Sequence, residues 1–367
     1  MKLNLEFDPE TFQSLIGGRA VVETPRLSLK SKSEAYAYLK AYGYDVDVES
    51  DREKLWNIHS RAVIYLRTQL LQDGESLPEE ISDPKVLNDI GDLLLLSSMR
   101  DSANEGLHKW ACALLRVMHV ISQLQNDLFN YFSLEIQEEI FRPYRQFVHK
   151  DSVSGIRLVG GAESDSIPLQ KFDIKPFKDS DSSITKLLAK PDEVAFGLLD
   201  KIGVRFVTAN LFDVFRVMRF LVVNHVIGPA NVIPNQSNNT LYPVNLFLEV
   251  MEGLPKLAEM EINDLDQLLL QRLAENMTKA KFLEKHNVFT SKDYRFIKFI
   301  TRQLVRVTHP ETQKSFSFSY PYEVQILDYE HYLRSLTGPA SHEEYKARQR
   351  QRARDRVFGA PANAPHQ

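Results

Sequence analysis

The amino-acid sequence predicts an α/β or α+β protein, with an antiparallel or mixed β-sheet and helices, preceded by a helical amino-terminal region. Three observations carry that expectation. Apolar residues recur every three or four positions through the first 150 residues, the period of an amphipathic helix. After Lys150 the pattern changes to short alternating runs bounded by turn formers. Near the end, two runs rich in β-branched and aromatic residues flank a short Pro310 to Lys314 turn, the mark of a hairpin. At 367 residues, 43% hydrophobic and 26% charged, the chain can bury one large core or two of ordinary domain size.

Taken in order, the clearest helices are expected at 51–71, 84–96 and 105–123. In the third, Trp110, Leu114, Val117 and Ile121 share a face that Leu107, Ala111, Leu115 and Met118 widen, a stripe of the kind that forms core. A further helix over 124–141 is expected to stop at Pro143. SGIRLVGG and LQKFDIKPF then read as strands, followed by a short helix over 182–188 and the strong strand signal IGVRFVT at 202–208. Asp213 is a candidate cap for the next helix, which runs to residue 226. The segment from Gly228 to Pro243 is full of turn formers and is expected to be a long surface loop, its asparagines acting as turn caps. Helical periodicity returns over 257–284, and the segments beginning SKDYRF and SFSFSYPYEVQILD supply the closing strands. The expected organisation is a helical region at 1–150, a sheet domain at 151–338 interrupted by a loop and helical stretch around 228–290, and a basic helix with a flexible tail at 339–367.

Composition sets limits on function. Lysines and arginines number 45 against 49 aspartates and glutamates, a formal charge of -4, so no chain-wide positive field draws nucleic acid. The single cysteine, Cys112, excludes an internal disulfide framework and a thiolate zinc site. The opening MKLNLEFDPETF has no apolar run of the signal-peptide kind, and no uncharged apolar segment is long enough to cross a bilayer. A soluble, cytoplasmic protein without membrane contact is the expectation. In the terminal segment Lys346, Arg348, Arg350, Arg352, Arg354 and Arg356 are spaced by two, which spreads charge around a helix. That stretch reads either as a solvated helix end or as an RNA phosphate contact.

The sequence holds no GxxxxGK phosphate loop, no GxGxxG fingerprint, no HExxH and no GxSxG elbow. What remains is a pair of acids tied to strands, Asp200 just before IGVRFVT and Glu323 within YPYEVQI. Carboxylates at strand edges can hold magnesium, orient a phosphate or take a proton from an attacking hydroxyl. They also cap turns or lie solvated on an edge strand.

The order SSITKLLAKP, DKIGVRFVT, SKDYRF, YEVQI resembles the synthetase domain of the RelA/SpoT alarmone synthetase family, over roughly 150–335. The matching positions are Ser183 and Ile184 with Lys186, then Asp200 with Gly203 and Arg205, then Tyr294 with Arg295, and Glu323 with Gln325. The resemblance implies a nucleotidyltransferase-type sheet that binds ATP with magnesium and moves the β,γ-pyrophosphate to a 3'-hydroxyl of a nucleotide or tRNA. It implies that Asp200 and Glu323 are the catalytic and metal-binding acids. Lys175, Lys178, Ser183, Lys186 and Arg205 would then bind ATP phosphates, and Tyr294, Arg295 and Gln325 the acceptor. Each has a plainer reading too: Lys175 and Lys178 solvated, Arg205 paired with a carboxylate, Tyr294 packed in the sheet.

Departures from the family pattern are specific. KPFKDSDSSI stands where an Arg-x-Lys is usual, and Lys292, Asp293, Tyr294, Arg295, Phe296, Ile297 and Lys298 replace an Asn-Gly-Tyr-Arg-Ser-Leu-His run. Leu327 and Asp328 replace an Arg-Thr pair after the last motif. The segment from Gly228 to about Glu284 is expanded relative to compact members of that family, and the expansion covers an acceptor site, recognises a macromolecule or is a packing insert. His59, His108 and His119 are scattered and none precedes an aspartate, so they read as structural and not as the family's hydrolase metal ligands. A catalytically silent nucleotide-binding protein and an RNA- or protein-interaction module are the alternatives.

Overall fold

A computed structural model describes residues 27–99, 105–125, 131–160, 166–177, 180–190, 197–253, 260–284, 294–310, 312–337 and 341–359. In chain order the elements are helices α1 (Lys32–Ala41), α2 (Glu49–Tyr65), α3 (Glu79–Ser82), α4 (Pro84–Leu87), α5 (Ile90–Ser98), α6 (Glu105–Gln125) and α7 (Ser133–Phe147). Strands β1 (Val148–Asp151), β2 (Gly155–Leu158) and β3 (Ile167–Lys175) follow, then α8 (Ser180–Ala189), β4 (Gly203–Thr208), α9 (Leu211–Val223) and β5 (Asn238–Asn239). The chain ends with α10 (Val244–Met251), α11 (Ile262–Glu275), β6 (Ile297–Thr308), β7 (Ser315–Asp328), α12 (Tyr329–Arg334) and α13 (His342–Phe358).

Two compact units organise the chain, and each draws on separate stretches of it. One comprises Met1–Leu128, Asp179–Leu198 and Ala347–Gln367; the other comprises Phe129–Lys178 and Leu199–Lys346.

The first unit is helical. Its α6 packs on α2, α5 and α8, and the expected stripe is core, with Ala111, Leu114, Val117, Met118 and Ile121 all buried. The helix expected over 84–96 is two, because Asn88 takes a left-handed φ of 56° and Asp89 then caps α5 through the Gly91 N–H. His59 and His108 meet the Ile81 and Leu96 carbonyls, and His119 meets the Tyr42 hydroxyl. The basic terminal helix departs from a solvated end. Ala353 and Val357 are fully buried, Arg354 forks onto Glu75 and the Leu70 carbonyl, and Arg356 donates to the Leu188 carbonyl. Two apolar residues four apart give the helix a packed side despite the charge around it, and these two arginines act as anchors.

The second unit is a seven-stranded mixed sheet in the order β1-β2-β3-β4-β7-β6-β5, parallel only between β4 and β7. One face is apolar. Phe172, Phe206 and Ile326 form one cross-strand row, Ile174, Val204 and Val324 another, and both join a core closed by α7 and α9. A bulge between Leu169 and Lys171 keeps Leu169 in that core and turns Lys171, Asp173 and Lys175 to the opposite face.

Three local expectations are corrected here. Helix α7 runs through Pro143 to Phe147 instead of stopping there. Proline removes the N–H that would bond the Glu139 carbonyl, and Gln303 of β6 supplies the missing donor at 2.8 Å. The N-terminus of α9 is not capped by Asp213, which is buried against Arg216; Asp266 of α11 accepts from the Leu211 and Phe212 N–H groups. The segment from Gly228 to Pro243 is not a surface loop throughout, because Asn238 and Asn239 form β5 and are buried together with Leu241 and Tyr242.

Candidate active site

The sheet face opposite the core is polar, and register decides its contents. Directly opposed residues on neighbouring strands share a face. One row therefore reads Lys175, Gly203, Glu323, Ile300, and the next reads Asp173, Arg205, Gln325, Lys298, Asn238. Strands distant in sequence thus bring three cations, Lys175, Arg205 and Lys298, and two carboxylates, Asp173 and Glu323, onto one face within one unit.

Glu323 is the centre. It is 7% exposed, and each of its oxygens meets an ammonium group, Lys175 at 2.8 Å and Lys298 at 3.3 Å. Burying a carboxylate without partners would cost several kcal/mol, and the two lysines offset that cost. Lys175 also donates to the Gln325 side-chain oxygen at 3.1 Å, and Arg205 Nε donates to the same oxygen at 2.8 Å. The other end of the Gln325 amide donates to the Tyr294 hydroxyl at 2.7 Å. Glu323 is thereby linked through Lys175 and Gln325 to both Arg205 and Tyr294.

Gly203 makes room for this arrangement. A Cβ there would lie 2.6 Å from the Glu323 carbonyl oxygen and 2.9 Å from its Cβ, so glycine is what lets β4 approach Glu323 this closely.

Asp200 lies in the turn before β4 and is half-buried. The charge of Glu323 chiefly, with that of Asp200 added, holds the Lys298 ammonium above its ordinary range against the opposing effect of burial. The two expected acids thus act on one cation. Burial likewise raises the Tyr294 phenol. Its ring centroid lies 4.7 Å from that of Phe296, beside a small apolar patch of Val207, Leu327 and Tyr332. Tyr294 precedes β6 instead of lying within it.

Of the expected phosphate-binding residues, Lys175 and Arg205 stand in the cluster. Ser183, which is buried, and Lys186 lie on α8 of the helical unit, and Lys178 lies outside the described residues, as do Lys292 and Asp293. Arg295 lies next to Tyr294 and is half-buried. Asp328 has a structural role, capping α12 through the His331 N–H and holding the His331 ring at 2.6 Å. Burial pushes its carboxyl up, and those His331 contacts more than offset that. Lys298 and Asn238 are the site residues that sequence reasoning missed. The usable signal for Lys298 is its place four residues after Tyr294 in an alternating strand, on the face that β7 gives to Glu323.

Among the described residues no group of three or more histidine, cysteine, aspartate or glutamate side chains could hold a metal ion, and no helix is long and apolar enough to cross a membrane. No protein-family model matches the chain, and no curated protein matches it. Among the solved structures that are similar at low identity are the following two. A GTP pyrophosphokinase family protein from Streptococcus pneumoniae is 13% identical, over 65% of this chain and 86% of that one, with a TM-score of 0.25. The small alarmone synthetase 2 from Bacillus subtilis is 14% identical, over 62% of this chain and 90% of its own, with a TM-score of 0.26.

Proposed function

We propose that the polar sheet face is a pyrophosphotransfer site that takes ATP as donor and a nucleotide or tRNA 3'-hydroxyl as acceptor. The observation that supports this most is Glu323 held between Lys175 and Lys298, on the face that also carries Arg205, Gln325 and Tyr294. A buried base beside several cations is what attack on a polyphosphate demands, since the base serves the incoming hydroxyl while the cations offset oxygen charge.

In this reading the triphosphate competes with Glu323 for the lysines. Once an ammonium turns to phosphate, a Glu323 oxygen is released to accept the proton of the 3'-hydroxyl. The acceptor oxygen bonds to the β-phosphorus, the bond from that phosphorus to the α,β-bridging oxygen breaks, and AMP leaves. Arg205 steadies Gln325, and Tyr294 offers its ring to the acceptor base. Arg295 is the adjacent acceptor contact.

Magnesium fits the donor set on one condition. Asp200 supplies a hard carboxylate oxygen at the mouth of β4, the ligand type that shares magnesium with phosphates. Glu323 becomes a second ligand only where a lysine has let go. The ion would offset polyphosphate charge; the residues named above do the positioning.

A second reading is favoured by the same clamp. With both oxygens of Glu323 paired, a silent nucleotide-binding regulator would look alike at rest. Incubating the full-length protein with ATP, magnesium and GDP, GTP, ADP or deacylated tRNA separates the two. Transfer predicts AMP formation with one acceptor, lost in Glu323→Gln while ATP still binds. ATP binding without AMP across the panel selects the silent regulator.

A further inference from the structure

One buried amide on the polar face is left over. Asn238 pairs across the β5–β6 ladder with Lys298, is 9% exposed, and its side-chain oxygen has no hydrogen-bond partner. Its neighbour is the opposite case. Asn239 Oδ1 accepts from the Leu241 and Tyr242 N–H groups and its Nδ2 donates to the Tyr242 carbonyl, so Asn239 holds the turn. Successive side chains of a strand point to opposite faces. Asn239 is therefore committed to the chain leading into α10, and Asn238 to the face of Lys298 and Gln325.

Folded proteins carry few buried acceptors without a donor, and those that persist call for a ligand or a function. Position gives this one a candidate. Lys298 stands between Asn238 and Gln325 in the cross-strand row, so two strand spacings, about 10 Å, separate the amide from the strand that carries Glu323. That is the reach of a nucleoside from its sugar hydroxyl to the far edge of its base. Alongside runs the segment holding Tyr294, pinned by reciprocal hydrogen bonds between Phe296 and Thr240, two residues beyond Asn238. A carboxamide also presents an acceptor beside a donor, the pattern with which asparagine reads a purine edge.

We propose that Asn238 is the base-reading residue of the acceptor site and accepts a hydrogen bond from the exocyclic amine of a purine nucleotide. The inference rests on the pyrophosphotransfer reading of this face and adds to it the residue that reads the acceptor base. Binding supplies the donor that the folded chain lacks, and a base without the amine leaves the oxygen unpaired, which is how such sites discriminate.

The test measures dissociation constants of the full-length protein for two pairs of ligands. ADP is set against purine riboside 5'-diphosphate, which lacks the adenine amine, and GDP against inosine 5'-diphosphate, which lacks the guanine amine. In one pair at least, the wild-type protein is expected to bind the amine-bearing member about 10-fold more tightly. Asn238→Leu should erase that preference, whereas Asn238→Asp, which keeps an acceptor oxygen, should retain it. The wild-type comparison needs no variant, so it decides even where a substitution unfolds the chain. Equal binding within both pairs, or a preference that survives Asn238→Leu, overturns the role of Asn238. Binding of none of the four ligands overturns the role of Asn238, while AMP formation across the acceptor panel, deacylated tRNA included, decides the pyrophosphotransfer reading separately.

Discussion

Gly203 faces Glu323 across the parallel β4–β7 pair, and the atom a side chain would add lies within 2.6 Å of the Glu323 carbonyl oxygen. That oxygen is backbone, bound into the sheet, and cannot swing aside. Gly203→Ala should therefore displace β7 locally, lower stability by about 2 kcal/mol, and cut AMP formation more than ATP binding. A urea midpoint and a transfer rate measured on one preparation check this; an unchanged midpoint would show that the strands have slack.

The two lysines on Glu323 are not equivalent. Lys175 serves both Glu323 and Gln325, while Lys298 pairs with Glu323 from the other side. Lys175→Met should cost about 3 kcal/mol and Lys298→Met about 1.5 kcal/mol, the range for hydrogen bonds to charged groups. Both should weaken ATP binding, read by calorimetric titration. A tighter-binding Lys298→Met protein would place that lysine outside the phosphate site.

Pro143 and Gln303 form a testable pair. Gln303→Met strands the Glu139 carbonyl, and about 1 kcal/mol of stability should go with it. Pro143→Ala restores a helical N–H to that carbonyl, so in its background the Gln303→Met penalty should shrink. The double-mutant cycle reads the difference directly, and additive penalties would break the link.

Acid should find its target in the helical unit. Burial pushes the His119 pKa down to about 4 from an ordinary 6.5. The unfolded chain then takes up the proton first, so His119 leaves stability intact above pH 6.5 and erodes it as pH falls toward 4. At pH 5 the loss is on the order of 2 kcal/mol. Urea midpoints at pH 7 and pH 5 should lie closer together in His119→Gln than in the wild type.

Much of the sheet was legible because its strands advertise themselves. The β4, β6 and β7 runs alternate branched and aromatic residues, and periodicity finds such segments well. The two-residue β5 was not legible, since Asn-Asn reads as turn and becomes strand only by pairing with β6. Pro143 misled for a related reason: its rescue comes from Gln303, on a strand far along the chain. In α13 the arginines hid Ala353 and Val357, whose four-residue spacing was the usable sign of packing. Of the candidate site, Asp200, Arg205, Tyr294, Glu323 and Gln325 were named from motif order, and Lys175 from charge. Lys298 was missed although its place four residues after Tyr294 in an alternating strand was a usable sign, whereas Asn238 was out of reach because its place depends on cross-strand alignment, which no local pattern encodes.

That alignment has a consequence for how the chemistry is stored. Were β7 to slide by a single residue against β4, Val324 and Ile326 would surface while Glu323 and Gln325 were driven into the hydrocarbon layer. The oily side of the strand therefore stands guard over its reactive side: whatever penalises wetting those two aliphatic residues also keeps the carboxylate pointed at its lysines.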